Sequence, residues 1–217
     1  MRQKFVSILL VILFFISCKT GNSDKSANQQ IKKQVAITAK RSVAILPFKG
    51  VDTVLINELK QALQKQLTVD FFVLDKTALP SYAFYKPRQR YIADSLLVFL
   101  KATNRNKYEK IIGITVKDIS TRKGDIENWG ILGLGSCPGE ACVVSTFRAG
   151  KNKISYKDFL RRITTLALHE LGHTYGLEHC PVQSCLMKDA EGKMNLDDGD
   201  AYCNKCRNYL LSNGILK

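Results

Sequence analysis

The chain has 217 residues and three histidines, all of which fall between positions 169 and 179. They stand in the run His169-Glu-Leu-Gly-His173-Thr-Tyr-Gly-Leu-Glu-His179. Residues four apart on a helix lie one turn above each other, so His169 and His173 can offer two ring nitrogens to one metal ion. Glu170 lies beside that face, placed to hold a water and take its proton. Gly176 can adopt the left-handed conformation that ends a helix and turns the chain back, which brings His179 to the same ion as a third ligand. Three protein ligands leave one tetrahedral position open, which distinguishes a catalytic zinc from a structural one. Zinc in such a site lowers the pKa of its bound water and polarises a carbonyl. Glu170 would then act as base toward the water and as acid toward the leaving amine. On average residue usage the His-Glu-x-x-His part arises by chance in roughly one chain of this length in a few hundred. The glycine and the third histidine lower that to about one in a hundred thousand.

Seven cysteines are present. Four follow the histidines directly, Cys180, Cys185, Cys203 and Cys206, with Met187 two residues after the second. Two close pairs of thiolates suit a closed tetrahedral zinc site, while in an oxidising compartment the same four can form two disulfides. Residues 180–217 carry few apolar side chains, so a metal there would supply folding energy that a core cannot.

The stretch from His169 to Cys180, with Cys185-Leu-Met187 and Cys203-Asn-Lys-Cys206, resembles that of the archaemetzincins, within the metzincin clan of zinc peptidases. Arg88-Gln-Arg-Tyr-Ile-Ala93, Ile112-Gly-Ile-Thr115 with Asp118, and Val143-Val-Ser-Thr-Phe-Arg148 are also similar to family segments. The resemblance therefore covers most of residues 42–217. It implies that His169, His173 and His179 bind a catalytic zinc and that Glu170 is the acid and base. Met187 would lie in a Met-turn, an apolar floor under the histidines. Cys180, Cys185, Cys203 and Cys206 would bind a second, structural zinc, making two per chain. The implied fold is α/β and metzincin-like: a twisted mixed sheet with a backing helix, an active-site helix and a small zinc-stapled C-terminal part, residues 180–217. The strand matching Ala141 to Arg148 would be an edge strand that pairs with extended substrate through its backbone. Arg148 itself suits either a substrate carboxylate or an ordinary salt bridge, and Tyr202 is read as core.

Cys137 and Cys142 flank Pro138-Gly-Glu-Ala141, where the family has no fixed cysteine pair. Their short spacing and an oxidising location predict a disulfide that stiffens a loop over the cleft; two free thiols or a metal contact are the alternatives.

The elements that must position these groups read as alternating strands and helices. Apolar runs predict strands over 42–48, 69–74, 111–116, 131–134 and 141–147. Val51, Leu55, Leu59, Leu63 and Leu67 recur at helical spacing, with Asp52 or Thr53 as the cap. A Pro- and Tyr-containing loop over 79–88 leads into a helix carrying Ile92, Leu96, Phe99 and Leu100. Ser155-Tyr-Lys-Asp158 opens the helix that ends in the histidines, in the manner of a capping box.

Residues 1–17 have the form of a signal peptide: Arg2 and Lys4, then a twelve-residue apolar run over 5–16, shorter than the roughly 18 residues of a spanning helix. Ser17-Cys18 is similar to a bacterial lipobox, which would leave Cys18 lipidated. Residues 18–41 read as a polar tether, followed by one metallopeptidase domain over 42–217. The expected location is a bacterial membrane, periplasmic face or cell surface, with the protein held through the lipid anchor. Thirty-three Lys and Arg against 19 Asp and Glu give a net charge of +14. Such a surface favours anionic surroundings, but no Lys/Arg block stands out, so nucleic acid is not expected as a partner. A peptide or protein substrate and a monomeric chain are. Two other functions fit part of the pattern: a zinc-stabilised module that binds peptide or envelope material without turnover, and a hydrolase of a non-peptide envelope amide. The presence of Glu170 argues against simple binding.

Overall fold

The computed structural model describes residues 41–150, 154–189 and 201–217. β1 (Ser42–Pro47) is an apolar run buried on both faces, as a strand between parallel neighbours must be. α1 (Thr53–Gln66) starts at Asp52, whose carboxylate accepts the Val54 N–H at 2.9 Å. Its Leu55, Ile56, Leu59 and Leu63 are buried at helical spacing. β2 (Asp70–Val73) follows. The Pro- and Tyr-containing loop contains two 3-10 turns, β3 (Phe84–Tyr85) and β4 (Arg90–Ile92), before α2 (Ala93–Asn104). β5 (Lys110–Thr115), β6 (Ile119–Lys123), β7 (Ile126–Ile131), β8 (Gly133–Gly135) and β9 (Ala141–Ser145) come next, then the short α3 (Thr146–Ala149). α4 (Tyr156–Thr174) and α5 (Asn204–Ser212) complete the described elements.

Five strands form one mixed sheet in the order β2-β1-β5-β9-β8, parallel except for β8. Alternation along its strands sends Val43, Ile45, Ile112, Ile114 and Val144 to the face covered by α1 and α4. Ala44, Leu46, Ile111 and Val143 point to the other face, which packs on Leu96 and Leu100 of α2. A smaller sheet, β3-β4-β6-β7, adjoins it. The chain after α5 returns to the end of α1, where Thr68 N–H donates to Ile215 O at 2.8 Å and Lys217 N–H to Gln66 O at 3.0 Å.

Two strand expectations are corrected here. The run over 131–134 is divided, Ile131 ending β7 and Gly133 opening β8. The strand over 141–147 is not an edge: β9 is held between β5 and β8, and β8 is the edge on that side. The antiparallel pairing of Leu134 with Val143 and Gly135 with Cys142 covers the flank that the expectation left open.

Candidate active site and metal centres

α4 is capped at its start by Ser155, whose hydroxyl accepts the Asp158 N–H at 3.1 Å and donates to the Asp158 carboxylate at 2.6 Å. Its last turn is sealed by Gly176 at φ +95, after which Leu177 N–H returns to Gly172 O at 3.0 Å. Lys110 holds the same end, donating through Nζ to Thr174 O at 3.0 Å and Gly139 O at 2.7 Å. Burial lowers the Lys110 pKa, but a cation there opposes the negative end of the helix dipole.

His169 and His173 sit one turn apart, with their Nε2 atoms 3.1 Å from each other. The opposite nitrogens are engaged by backbone: His169 Nδ1 lies 2.8 Å from Leu186 O and His173 Nδ1 2.7 Å from Leu177 O. A carbonyl accepts only, so each ring carries its proton on Nδ1 and presents a lone pair at Nε2. The turn at Gly176 brings His179 in, and the ligand nitrogens of the three residues lie within 4.8 Å of one another. His179 is half exposed, with Nδ1 3.7 Å from Asp189 Oδ2. Burial holds His169 down at about 4, so its ring stays neutral and able to bind a metal.

Glu170 is buried beside these rings, and desolvation alone lifts its pKa to about 8. A cation bound by the histidines would draw it back toward the ionised form. Met187 is fully buried below, its sulfur 2.7 Å from the point where a Cβ on Gly172 would lie. A side chain at that helix position would press on the end of Met187.

Cys180, Cys185, Cys203 and Cys206 form the second cluster, also with ligand atoms within 4.8 Å of one another. Their thiols are free, and the Sγ atoms of Cys180 and Cys203 are 3.7 Å apart, far beyond disulfide length. Cys185 Sγ accepts the N–H groups of Cys203 at 3.3 Å and Met187 at 3.4 Å. The Cys206 N–H, at the start of α5, holds the Cys203 thiol down at about 7, whereas burial pushes Cys185 and Cys206 up.

Both donor sets fit zinc by size. Tetrahedral zinc puts neighbouring nitrogens about 3.3 Å apart and neighbouring thiolates about 3.8 Å apart, close to the 3.1 Å and 3.7 Å separations here.

Among the other expected residues, Cys137 and Cys142 are not joined. Cys142 lies on β9 with its side chain buried among the residues under α4, while the exposed Cys137 donates to Leu177 O at 3.4 Å. The β8–β9 register separates them: Cys142 faces Gly135, and Cys137 lies beyond the strand end. Cys18 is outside the described residues. Arg148 forms the ion-pair alternative, its Nε and Nη2 donating to Asp118 at 2.7 and 3.0 Å. Arg90 reaches the same carboxylate at 2.7 Å, so the upstream segments meet at one carboxylate. Tyr202 is partly buried against the core, its hydroxyl donating to Leu168 O at 2.9 Å. The sequence reading missed Lys110 and the approach of β8 to Glu170. The Gly133-Leu-Gly135 alternation was the available signal for the latter, since glycine within a strand marks a close neighbour.

The model of peptidase family M54 matches residues 35–212. The chain belongs to that family. It is 30% identical over 139 residues to the archaemetzincin of Methanopyrus kandleri, covering 64% of this chain and 75% of that one. It is 29% identical over 176 residues to the archaemetzincin of Haloquadratum walsbyi, covering 77% and 98%. Its fold is similar to the crystal structure of the Methanopyrus kandleri archaemetzincin, with TM-score 0.69 and 26% identity over 81% of this chain and 96% of that one. The Archaeoglobus fulgidus archaemetzincin, solved with malonate, shares the fold at TM-score 0.67 and 24% identity, covering 77% and 99%.

Proposed function

We propose that this M54 metallopeptidase hydrolyses peptide bonds at the His169–His173–His179 centre and holds a second zinc in the four-cysteine cluster for structure alone. The observation that carries the reading is the buried carboxylate of Glu170 beside three convergent histidine nitrogens, one of them on the half-exposed ring of His179. A binding module has no use for a carboxyl group held out of water next to a metal site.

When bound, zinc supplies a Lewis acid for the scissile carbonyl and an acidified water. The protein's own part is positional. Leu186 O and Leu177 O fix two imidazoles in the tautomer that binds metal. Glu170 takes the water proton and returns it to the leaving amine. Edge strand β8 offers unpaired backbone to an extended peptide, whose main chain it would hold in register. Such pairing reads little of the side chains, which supports a broad peptide or protein substrate class.

We place the protein outside the cytoplasm as a lipid-anchored monomer. Supporting this are the signal-like residues 1–17 with Cys18 and the polar stretch over 18–41. No helix among the described residues is long and apolar enough to cross a membrane, so anchoring on this reading rests with the lipid. The test is incubation of the zinc-loaded full chain with a diverse peptide mixture and identification of new termini by mass spectrometry. Cleavage is expected; zinc bound with no peptide cleaved would contradict the peptidase reading.

A further inference from the structure

Edge strand β8 is three residues long, and two of the three are glycine. Neither Gly133 nor Gly135 has a positive φ, so the backbone does not require glycine at either place. The space does. A Cβ on Gly133 would lie 2.5 Å from Glu170 Oε1 and 2.7 Å from both Cδ and Cγ. A Cβ on Gly135 would lie 2.6 Å from the Glu170 backbone oxygen and 3.0 Å from His173 Cβ. Both positions face α4, while Leu134 between them turns to the α2 side of the sheet. The strand therefore rests directly on the turn of helix that carries the active-site carboxyl group.

We infer that Gly133 is a positioning residue for catalysis, acting by fixing the Glu170 side chain under the edge to which substrate pairs. The inference rests on the reading of Glu170 as acid and base. A peptide added to β8 runs about 4.8 Å from it, so the depth at which β8 seats on α4 sets the distance between scissile bond and carboxylate. The three atoms that a Cβ on Gly133 would meet all belong to the one side chain of Glu170. Those of Gly135 include helix backbone, so its role is to seat the strand as a whole.

The difference gives a test that packing alone would not pass. Gly133→Ala forces Glu170 to move, and the expected result is a melting temperature lowered by roughly 3–10 °C. Turnover should fall about 10- to 100-fold with KM little changed and zinc still bound, because displacement by a fraction of an ångström spoils the reacting geometry. In a Glu170→Ala background the Cγ, Cδ and carboxylate atoms are gone. There Gly133→Ala should be neutral or should raise the melting temperature, since alanine restricts the unfolded chain. Gly135→Ala, opposed by main chain, should destabilise in both backgrounds. Equal destabilisation by Gly133→Ala in the two backgrounds would overturn the inference, as would wild-type turnover in Gly133→Ala. Retained cleavage by Glu170→Ala would instead overturn the reading of Glu170 as acid and base on which it rests, a distinguishable failure.

Discussion

The two ligand clusters are close in sequence and differ in what supports them. The histidines are carried by one 19-residue helix and the turn that follows it, and the helix packs into the main core. Two of their rings are aimed by backbone carbonyls, the third is half exposed, and a buried carboxyl group lies beside them. The cysteines are carried by loop segments and the first turn of a nine-residue helix, and their four sulfur atoms lie within 4.8 Å of one another. Both clusters border the same core, which Leu186, Met187, Leu210 and Ile215 join, but only the histidines stand on a long helix; on the proposed reading the cysteines serve structure. The clusters share one strip of backbone. Leu186 O orients His169 between Cys185 and Met187, and Met187 O accepts the Cys180 N–H at 2.8 Å.

The contrast can be broken most severely at Glu170. Glu170→Gln is expected to cost about 10³-fold in turnover with zinc content and melting temperature nearly unchanged, measured by steady-state cleavage, metal analysis and calorimetry. Cys206→Ser should do the reverse, destabilising by about 4 kcal/mol or more, a fall of about 8–16 °C in melting temperature. If Cys206→Ser melts like the wild type, the second cluster is not a staple. Asp118→Asn probes a third kind of support. It leaves Arg90 and Arg148 facing each other across a lost carboxylate charge, and both side chains are 20–24% exposed, so about 1–3 kcal/mol is expected rather than the full cost of a buried pair. Denaturant unfolding measures it. The smallest effect is at the far end of α4, where Ser155→Ala removes the cap for about 1 kcal/mol and leaves KM and turnover alone.

What could be read before the structure was what is local. His169 and His173 are related by helix geometry, Gly176 by the turn it permits, and Asp52 and Ser155 by caps that act within a few residues. The four cysteines announced their cluster by spacing, and the structure brings them together with free thiols. Non-local pairing was hidden. β6 and β7 carry Thr121, Arg122, Lys123, Glu127 and Asn128, so their hairpin lacks an apolar signature and is seen only through the register of Ile119 with Ile131. The place of β9 inside its sheet depended on β8, too short and glycine-rich to be read as a strand. Cys137 and Cys142 were near in sequence, but a spacing does not say which way a strand points its side chains.

The most direct measurement is a chelator titration of the native full chain, following zinc release, peptide cleavage and melting temperature in the same samples. Two zinc ions per chain are expected. The first to leave, from the half-exposed histidine site, should abolish cleavage with the fold intact; the second should take the melting temperature with it. A single zinc per chain, or cleavage that survives the first release, would contradict the division of labour between the two clusters.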